Sequence, residues 1–185
     1  MYIGSGDVSA AIPAPQTQAE AAVLMVADTR EVLFDKRPYA MMYPASTTKI
    51  MTLITALEKG EPGSIVTVSP SAAQCEGSSL ELKAGEQFTL RDGLYGMMLV
   101  SGNDSAEAIA ESVGGSIPSF VDMMNDEAEK IGALHTRFSN PHGLPDPFKH
   151  FTTAHDLALI TAYGMKNSDF AKIVSTREYD VKLLN

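Results

Sequence analysis

The sequence predicts an α+β domain in which an N-terminal hairpin begins an antiparallel sheet and a helical lobe follows. Two apolar runs around a polar turn predict the hairpin, and five later segments with capping signals or helical apolar spacing predict the lobe. The last residues alternate like a strand. With 185 residues, of which 44% are hydrophobic, the chain can bury a core of its own.

The strand predictions start with the hairpin, residues 21–36, whose apolar runs flank a polar DTR turn at 28–30. Short strand-like pieces follow at 64–68 (SIVTV) and 79–83 (SLELK). The closing segment, 177–185 (REYDVKLLN), alternates polar and apolar residues. These pieces begin a sheet without completing one.

The first predicted helix lies within residues 46–60, STTKIMTLITALEKG. Its apolar residues recur at i, i+3, i+4 and i+7 from Ile50, and Gly60 ends the pattern. Capping boxes, in which a hydroxyl is followed three residues later by a carboxylate, start two later helices at Thr89 and Thr153. Two further helices lie between them, in NDSAEAIAESVGG and SFVDMMNDEAEKIGA.

Charge and the N-terminal segment limit the partners that we expect. A net charge of -9 and a pI near 4.8 argue against binding nucleic acid or anionic lipid, since both need a positive surface. Residues 1–18 lack the basic and apolar regions of a signal peptide and read as a linker or a processed N-terminus. No apolar stretch approaches the length of a membrane span, so we expect a soluble chain.

The cysteine and histidine pattern predicts no metal and no cofactor. Cys75 is the single cysteine, so it has no partner for a disulfide or a CxxC site. The four histidines show no HExxH or similar ligand spacing.

The stretch YPASTTKIMT places Ser46 three residues before Lys49 at the start of the first predicted helix. Such a pair arises about once by chance in a chain of this composition, and its structural interpretation is an N-cap serine followed by a surface lysine. Its catalytic interpretation is a nucleophile with its base. Residues three apart share a helix face, and a helix N-terminus stabilises a developing oxyanion. The pair alone does not decide between these interpretations.

A second stretch, LVSGNDSAEA, places Ser101 and Asn103 around Gly102 in the turn between two predicted helices. In the structural interpretation, Gly102 gives the turn its conformational freedom, and Asn103 or Asp104 caps the next helix. In the catalytic interpretation, this loop presents the Ser101 hydroxyl and the Asn103 amide to a cleft, where they can face Ser46 and Lys49. The two interpretations are compatible.

Four longer segments carry a resemblance to a known family. They are LMVADTREVLFDKRPYAMMYPASTTKIMTLITALEKG, LYGMMLVSGNDSAEAIAE, TRFSNPHGLPD and FTTAHDLALI. They resemble the serine-type D-alanyl-D-alanine carboxypeptidases, which are low-molecular-mass penicillin-binding proteins, from about Ala19 to the end. The resemblance implies a β-lactamase/transpeptidase-like fold. Residues 19–185 would form the N-terminal part of its catalytic domain, after a linker or processed segment of residues 1–18.

The same resemblance implies the roles of four residues. Ser46 is the nucleophile that attacks the penultimate D-alanine carbonyl of a peptidoglycan stem peptide, forming an acyl-enzyme that water hydrolyses. Lys49 takes the serine proton, which requires burial or nearby positive charge to lower its pKa. Ser101 relays a proton to the leaving amine, and Asn103 holds Lys49 and the substrate amide. Ser46, Ser101 and Asn103 thus also bind substrate, and β-lactams trap Ser46 as an ester.

One departure from the family pattern concerns its third motif, Lys-Thr-Gly or Lys-Ser-Gly, which occurs nowhere in these 185 residues. The C-terminal sheet strands that carry it are therefore expected to be missing from this chain. The missing strands would carry a second lysine, a hydroxyl that binds the substrate carboxylate and one oxyanion donor. Loss of a single oxyanion donor lowers the rate by about 10² to 10³. The chain is then a fragment, a partner of a second polypeptide that carries the missing strands, or a strand-exchanged dimer.

Two other functions remain open at the level of sequence. A class A-like β-lactamase also has a serine and a lysine at the spacing of Ser46 and Lys49. It would, however, carry Ser-Asp-Asn where this chain has Ser101-Gly102-Asn103, and it would carry a Glu-x-x-Leu-Asn segment, which we do not find. A non-catalytic fragment would bind peptidoglycan or protein without covalent chemistry. The resemblance further implies an exported protein at the outer face of the cytoplasmic membrane.

Overall fold

The computed structural model describes residues 14–185. Within them lie six α-helices and four short strands. In chain order these are β1 Ala22–Met25, β2 Val32–Lys36, α1 Lys49–Lys59, β3 Ile65–Thr67, β4 Gln87–Thr89, α2 Leu90–Val100, α3 Asn103–Gly114, α4 Ile117–Ile131, α5 Ala154–Gly164 and α6 Ser168–Ser175. The predicted linker, 1–18, lies mostly outside the described residues, and 14–18 have no regular structure.

The predicted N-terminal hairpin is confirmed. β1 and β2 pair antiparallel, with Ala22 opposite Lys36 and an irregularity between Leu24 and Met25. The chain reverses through a turn that ends with Arg30 in the left-handed region, at φ 62°. Neither strand contains a buried residue, and β1 packs against α5.

The helices form a helical lobe around one apolar core. The predicted faces of α1 and α4 are both turned inward: Leu53 and Ile54 of α1, and Phe120 and Met124 of α4, are buried. The short sheet of β3 and β4 adds Phe88 to the same core. None of the helices in residues 14–185 is long and apolar enough to cross a membrane.

The predicted capping boxes are confirmed at both helices. The Thr89 hydroxyl accepts the Asp92 backbone N–H at the start of α2, and the Thr153 hydroxyl accepts that of Asp156 at the start of α5. Each hydroxyl satisfies a backbone donor that the first helical turn leaves free. α3 ends at Gly114, and its C-cap Gly115 lies in the left-handed region.

Two strand predictions are wrong. Residues 79–83 form no strand because the buried Asp104 carboxylate takes the backbone N–H groups of Leu80 and Leu82, and Glu81 lies at φ 61°. Residues 177–185 form no strand. Tyr179 stacks on Tyr95 of α2, and the Leu184 backbone N–H donates to the Gln87 carbonyl.

One helix was not predicted. The Asn167 side chain accepts the backbone N–H groups of Asp169 and Phe170 and caps α6. Phe170 and Ile173, three residues apart, are its buried residues. An asparagine cap followed by this spacing is the signal that the sequence offered.

Candidate active site

Ser46 lies on a 3₁₀ turn that runs from Ala45 to Thr48 and leads directly into α1. It caps neither element: Pro44 precedes the turn, and no side chain makes a capping bond there. The structural interpretation of Ser46 as an N-cap is therefore wrong. The turn leaves the serine exposed beside a cleft.

Lys49 is the first residue of α1 and points into the protein, with 2% of its surface exposed. Its Nζ donates to Asn103 Oδ1 at 2.6 Å and to the His142 carbonyl oxygen at 3.0 Å. It lies 3.5 Å from Ser46 Oγ. A surface lysine is excluded, since a buried amine with three oxygen neighbours is held in one place.

Burial lowers the pKa of Lys49 from 10.5 to about 8, because an ammonium loses hydration inside the protein. The Asp104 carboxylate acts in the opposite direction by favouring the charged form. Cys75 opposes the shift only when ionised, and burial raises the pKa of its thiol to about 12. Lys49 therefore releases its proton more readily than a surface lysine, as a general base requires.

The second motif joins α2 to α3. Ser101 ends α2 in the left-handed region, at φ 61°, and its buried Oγ has no hydrogen-bond partner within the described residues. Asn103 begins α3, and its Nδ2 donates to the Glu76 carbonyl at 2.6 Å, which fixes the amide so that Oδ1 faces Lys49. The structure thus brings Ser46, Lys49 and Asn103 into one hydrogen-bonded group. Ser101 stands without a bond to them.

The cleft beside Ser46 has a volume of about 290 Å³. Its lining combines the SxxK turn, the start of α3 and two loops, and includes Tyr43, Gly77 and Leu144. Gly77 has φ 95°, and a β-carbon there would lie 2.7 Å from Asn103 Nδ2. Only glycine lets this loop approach the amide so closely.

A further loop, which the sequence did not point to, contributes to the site. In the NPHGL segment, Asn140 Oδ1 accepts the Gly143 backbone N–H at 2.7 Å, and Asn140 Nδ2 donates to the Leu144 carbonyl. The turn presents the His142 carbonyl to Lys49. Gly143 lies against Ala45, whose carbonyl a β-carbon would strike. The signal in the sequence was the Asn-Pro and His-Gly turn pattern.

Cys75, Glu107 and His142 form a group behind Lys49, with their ligand-type atoms within 4.8 Å of one another. The Leu144 backbone N–H donates to His142 Nδ1, so the ring proton lies on Nε2 and faces Glu107 at 3.3 Å. In this tautomer, His142 Nε2 presents a proton to Glu107 and has no free lone pair with which to bind a metal.

Comparisons with known proteins identify the family. The profile of the D-alanyl-D-alanine carboxypeptidase family, peptidase S11, matches residues 8–184. The chain is 37% identical over 166 residues to the D-alanyl-D-alanine carboxypeptidase DacF of Bacillus subtilis, covering 87% of this chain and 42% of that protein. It spans about half the length of the curated relatives that it matches.

Solved structures give the same result for the fold. The D-alanyl-D-alanine carboxypeptidase of Mycobacterium tuberculosis superposes with a TM-score of 0.85 at 32% identity, over 91% of this chain and 64% of that one. Penicillin-binding protein 5 of Haemophilus influenzae gives 0.81 at 33% identity, over 88% and 49%. The predicted fold class and resemblance are confirmed, and the chain belongs to the D-alanyl-D-alanine carboxypeptidase family.

Proposed function

We propose that this chain carries the acylating half of a serine D-alanyl-D-alanine carboxypeptidase. The observation that supports this most is the state of Lys49: a buried amine with a pKa near 8, bonded to Asn103 and 3.5 Å from Ser46 Oγ. A structural lysine needs no such lowering of its pKa, whereas a general base does. The proposed domain is residues 19–185, as the N-terminal part of the catalytic domain.

In the proposed reaction, Ser46 Oγ attacks the carbonyl carbon of the penultimate D-alanine while its proton passes to Lys49 Nζ. The bond from that carbon to the terminal D-alanine nitrogen then breaks. The departing amine takes a proton from Lys49 by way of Ser101, leaving an ester on Ser46. Water hydrolyses the ester and restores the serine hydroxyl.

The proposed roles of the second motif differ in their support. Asn103 already holds Lys49 through Oδ1. Its Nδ2 is engaged with the Glu76 carbonyl, so contact with a substrate amide requires that bond to be shared or exchanged. Ser101 Oγ, buried and without a partner in the described part of the chain, is free to bond an incoming amine or the Lys49 amine.

We further propose that polypeptide outside these 185 residues supplies the lysine, the hydroxyl and the oxyanion donor of the third motif. The chain spans about half the length of its curated relatives. β1 and β2 pair only with each other among the described residues and bury none of their residues fully, as expected of a sheet awaiting neighbours. The further strands come from a longer form of the protein, from a second chain or from strand exchange in a dimer.

The substrate that we propose is a peptidoglycan stem peptide ending in D-Ala-D-Ala, and β-lactams are the proposed covalent inhibitors. This places the protein, once exported, in the cell envelope at the outer face of the cytoplasmic membrane. The family match does not favour the β-lactamase alternative. A non-catalytic binding fragment is the outcome that the experiment must exclude.

The first experiment treats the purified chain with a fluorescent penicillin, measures the intact mass and maps the adduct by peptide digestion. We expect an adduct on Ser46 that is lost in Ser46→Ala and in Lys49→Ala. Ser64→Ala and Lys59→Ala, exposed residues at and beyond the far end of α1, are matched controls that should label normally. A folded chain without an adduct would contradict acylation by these residues alone.

A further inference from the structure

Residues 139–150 form a segment that crosses the start of α1. The segment ends at His150, which is 1% exposed. The Ser139 backbone N–H donates to His150 Nδ1 at 3.0 Å, which closes the segment on itself. Because Nδ1 is the acceptor, Nε2 carries the ring proton and donates it to Thr48 Oγ1 at 2.7 Å. One imidazole therefore ties the segment to the turn that carries the nucleophile.

Thr48 occupies a position between Ser46 and Lys49 and is itself buried. The segment meets α1 at two further points in the same neighbourhood. The Pro141 carbonyl accepts from Thr52 Oγ1 at 2.6 Å, and the His142 carbonyl accepts from Lys49 Nζ at 3.0 Å. Movement of the segment would therefore move an acceptor of the catalytic amine.

We propose that His150 is a positioning residue for acylation, which holds the Thr48 turn and segment 139–150 in one register and so aims Lys49 at Ser46 Oγ. The ring acts through Thr48 and through the segment. The inference rests on the proposed function of Ser46 and Lys49. At 3.5 Å their two side-chain atoms are at the limit of a hydrogen bond, and a misplacement of about 1 Å can cost about 100-fold in rate.

The bonds of His150 to the Ser139 backbone N–H and to Thr48 need the neutral ring, which has one donor and one acceptor; Ser139 Oγ also lies 3.3 Å from Nδ1. Burial lowers the pKa of His150 to about 4, and the carboxylate of Asp146 opposes this shift only in part. The ring is therefore neutral under the conditions in which Lys49 can act as a base.

The test compares two pairs of variants. His150→Phe keeps a ring and removes both bonds, whereas His150→Gln keeps an amide donor that can reach Thr48. Thr48→Val removes the acceptor at nearly constant shape, whereas Thr48→Ser keeps it. His135→Phe removes a histidine whose side chain is 59% exposed and lies outside the site, and it serves as the control.

The readout is the acylation rate constant, k2, measured separately from the dissociation constant of the fluorescent penicillin, well below each melting temperature. We expect k2 to fall about 10- to 100-fold in His150→Phe and in Thr48→Val, with the dissociation constant within about twofold. The double variant should fall no further, and His150→Gln and Thr48→Ser should each retain part of the rate that the other two variants lose. Normal k2 in His150→Phe, or an equal loss in His135→Phe, would overturn the inference.

A second readout separates this inference from the proposed function. The Lys49 side chain is titrated by NMR in labelled protein, where the wild-type pKa should be about 8. In His150→Phe we expect the pKa to move toward 10.5, its value for an ordinary lysine, as water reaches the loosened amine. If the wild type forms no Ser46 adduct, the proposed function fails. The titration still tests whether His150 holds Lys49 in its buried position, and an unchanged pKa refutes that part of the inference.

Discussion

The hairpin and the helical lobe are built on different principles. Neither β1 nor β2 has a buried residue, and Leu33 of β2 is 59% exposed. In the lobe, by contrast, Leu53, Ile109 and Phe120 are fully buried, at 0% exposure. The lobe has a closed core within these residues, whereas the hairpin leaves apolar side chains exposed.

The difference bears on where the proposed chemistry is anchored. Ser46, Lys49, Ser101 and Asn103 all lie in the lobe or on the turn that enters it. Their geometry thus depends more directly on the closed core and on segment 139–150 than on the hairpin of β1 and β2. Variants that weaken the two regions separately test this division.

The largest effect is expected in the core of the lobe. Phe120→Ala deletes a fully buried ring of α4 and leaves a cavity, so it should lower the free energy of unfolding by about 3 to 5 kcal/mol. Denaturant unfolding followed by circular dichroism measures this. A loss below about 1 kcal/mol would mean that the core is less closed than the burial indicates.

A smaller effect of opposite sign is expected at Lys49, a lysine buried in the lobe. Lys49→Met should abolish acylation and raise the free energy of unfolding at pH 7 by about 1 to 3 kcal/mol. The upper figure corresponds to the pKa difference between about 8 in the folded chain and 10.5. Lost bonds to Asn103 and His142 reduce the gain.

The pH dependence of this gain has a defined sign. Because folding lowers the pKa of Lys49, the unfolded chain binds more protons between pH 8 and 10.5, and wild-type stability rises across that window. The advantage of Lys49→Met should be complete below pH 8 and disappear toward pH 10.5. Unfolding curves at several pH values measure it, and a constant difference would contradict the burial cost.

The smallest effect on stability is expected in the hairpin. Leu33→Ser should change the free energy of unfolding by no more than about 0.5 kcal/mol, because Leu33 is largely exposed. It should also reduce any self-association that analytical ultracentrifugation detects. The matched variant Leu53→Ser, at a fully buried leucine, should instead be strongly destabilising. Equal effects at the two leucines would remove the distinction between the regions.

Local signals in the sequence predicted most of the elements. The hairpin, the capping boxes at Thr89 and Thr153 and the buried face of α4 depend on residues close in the chain, so their patterns could be read directly. The prediction failed at residues 79–83, where Asp104, more than twenty residues away, takes the backbone donors that a strand would use.

The sequence by itself determined the spacing of Ser46 and Lys49, the turn with Ser101 and Asn103, and the family resemblance. Only the tertiary structure decided that Lys49 is buried, that the His142 carbonyl, 93 residues away, accepts its hydrogen bond, and that His150 holds Thr48 across 102 residues. Such contacts have no local pattern. They form because packing the core brings distant segments together and leaves each buried polar group in need of a partner.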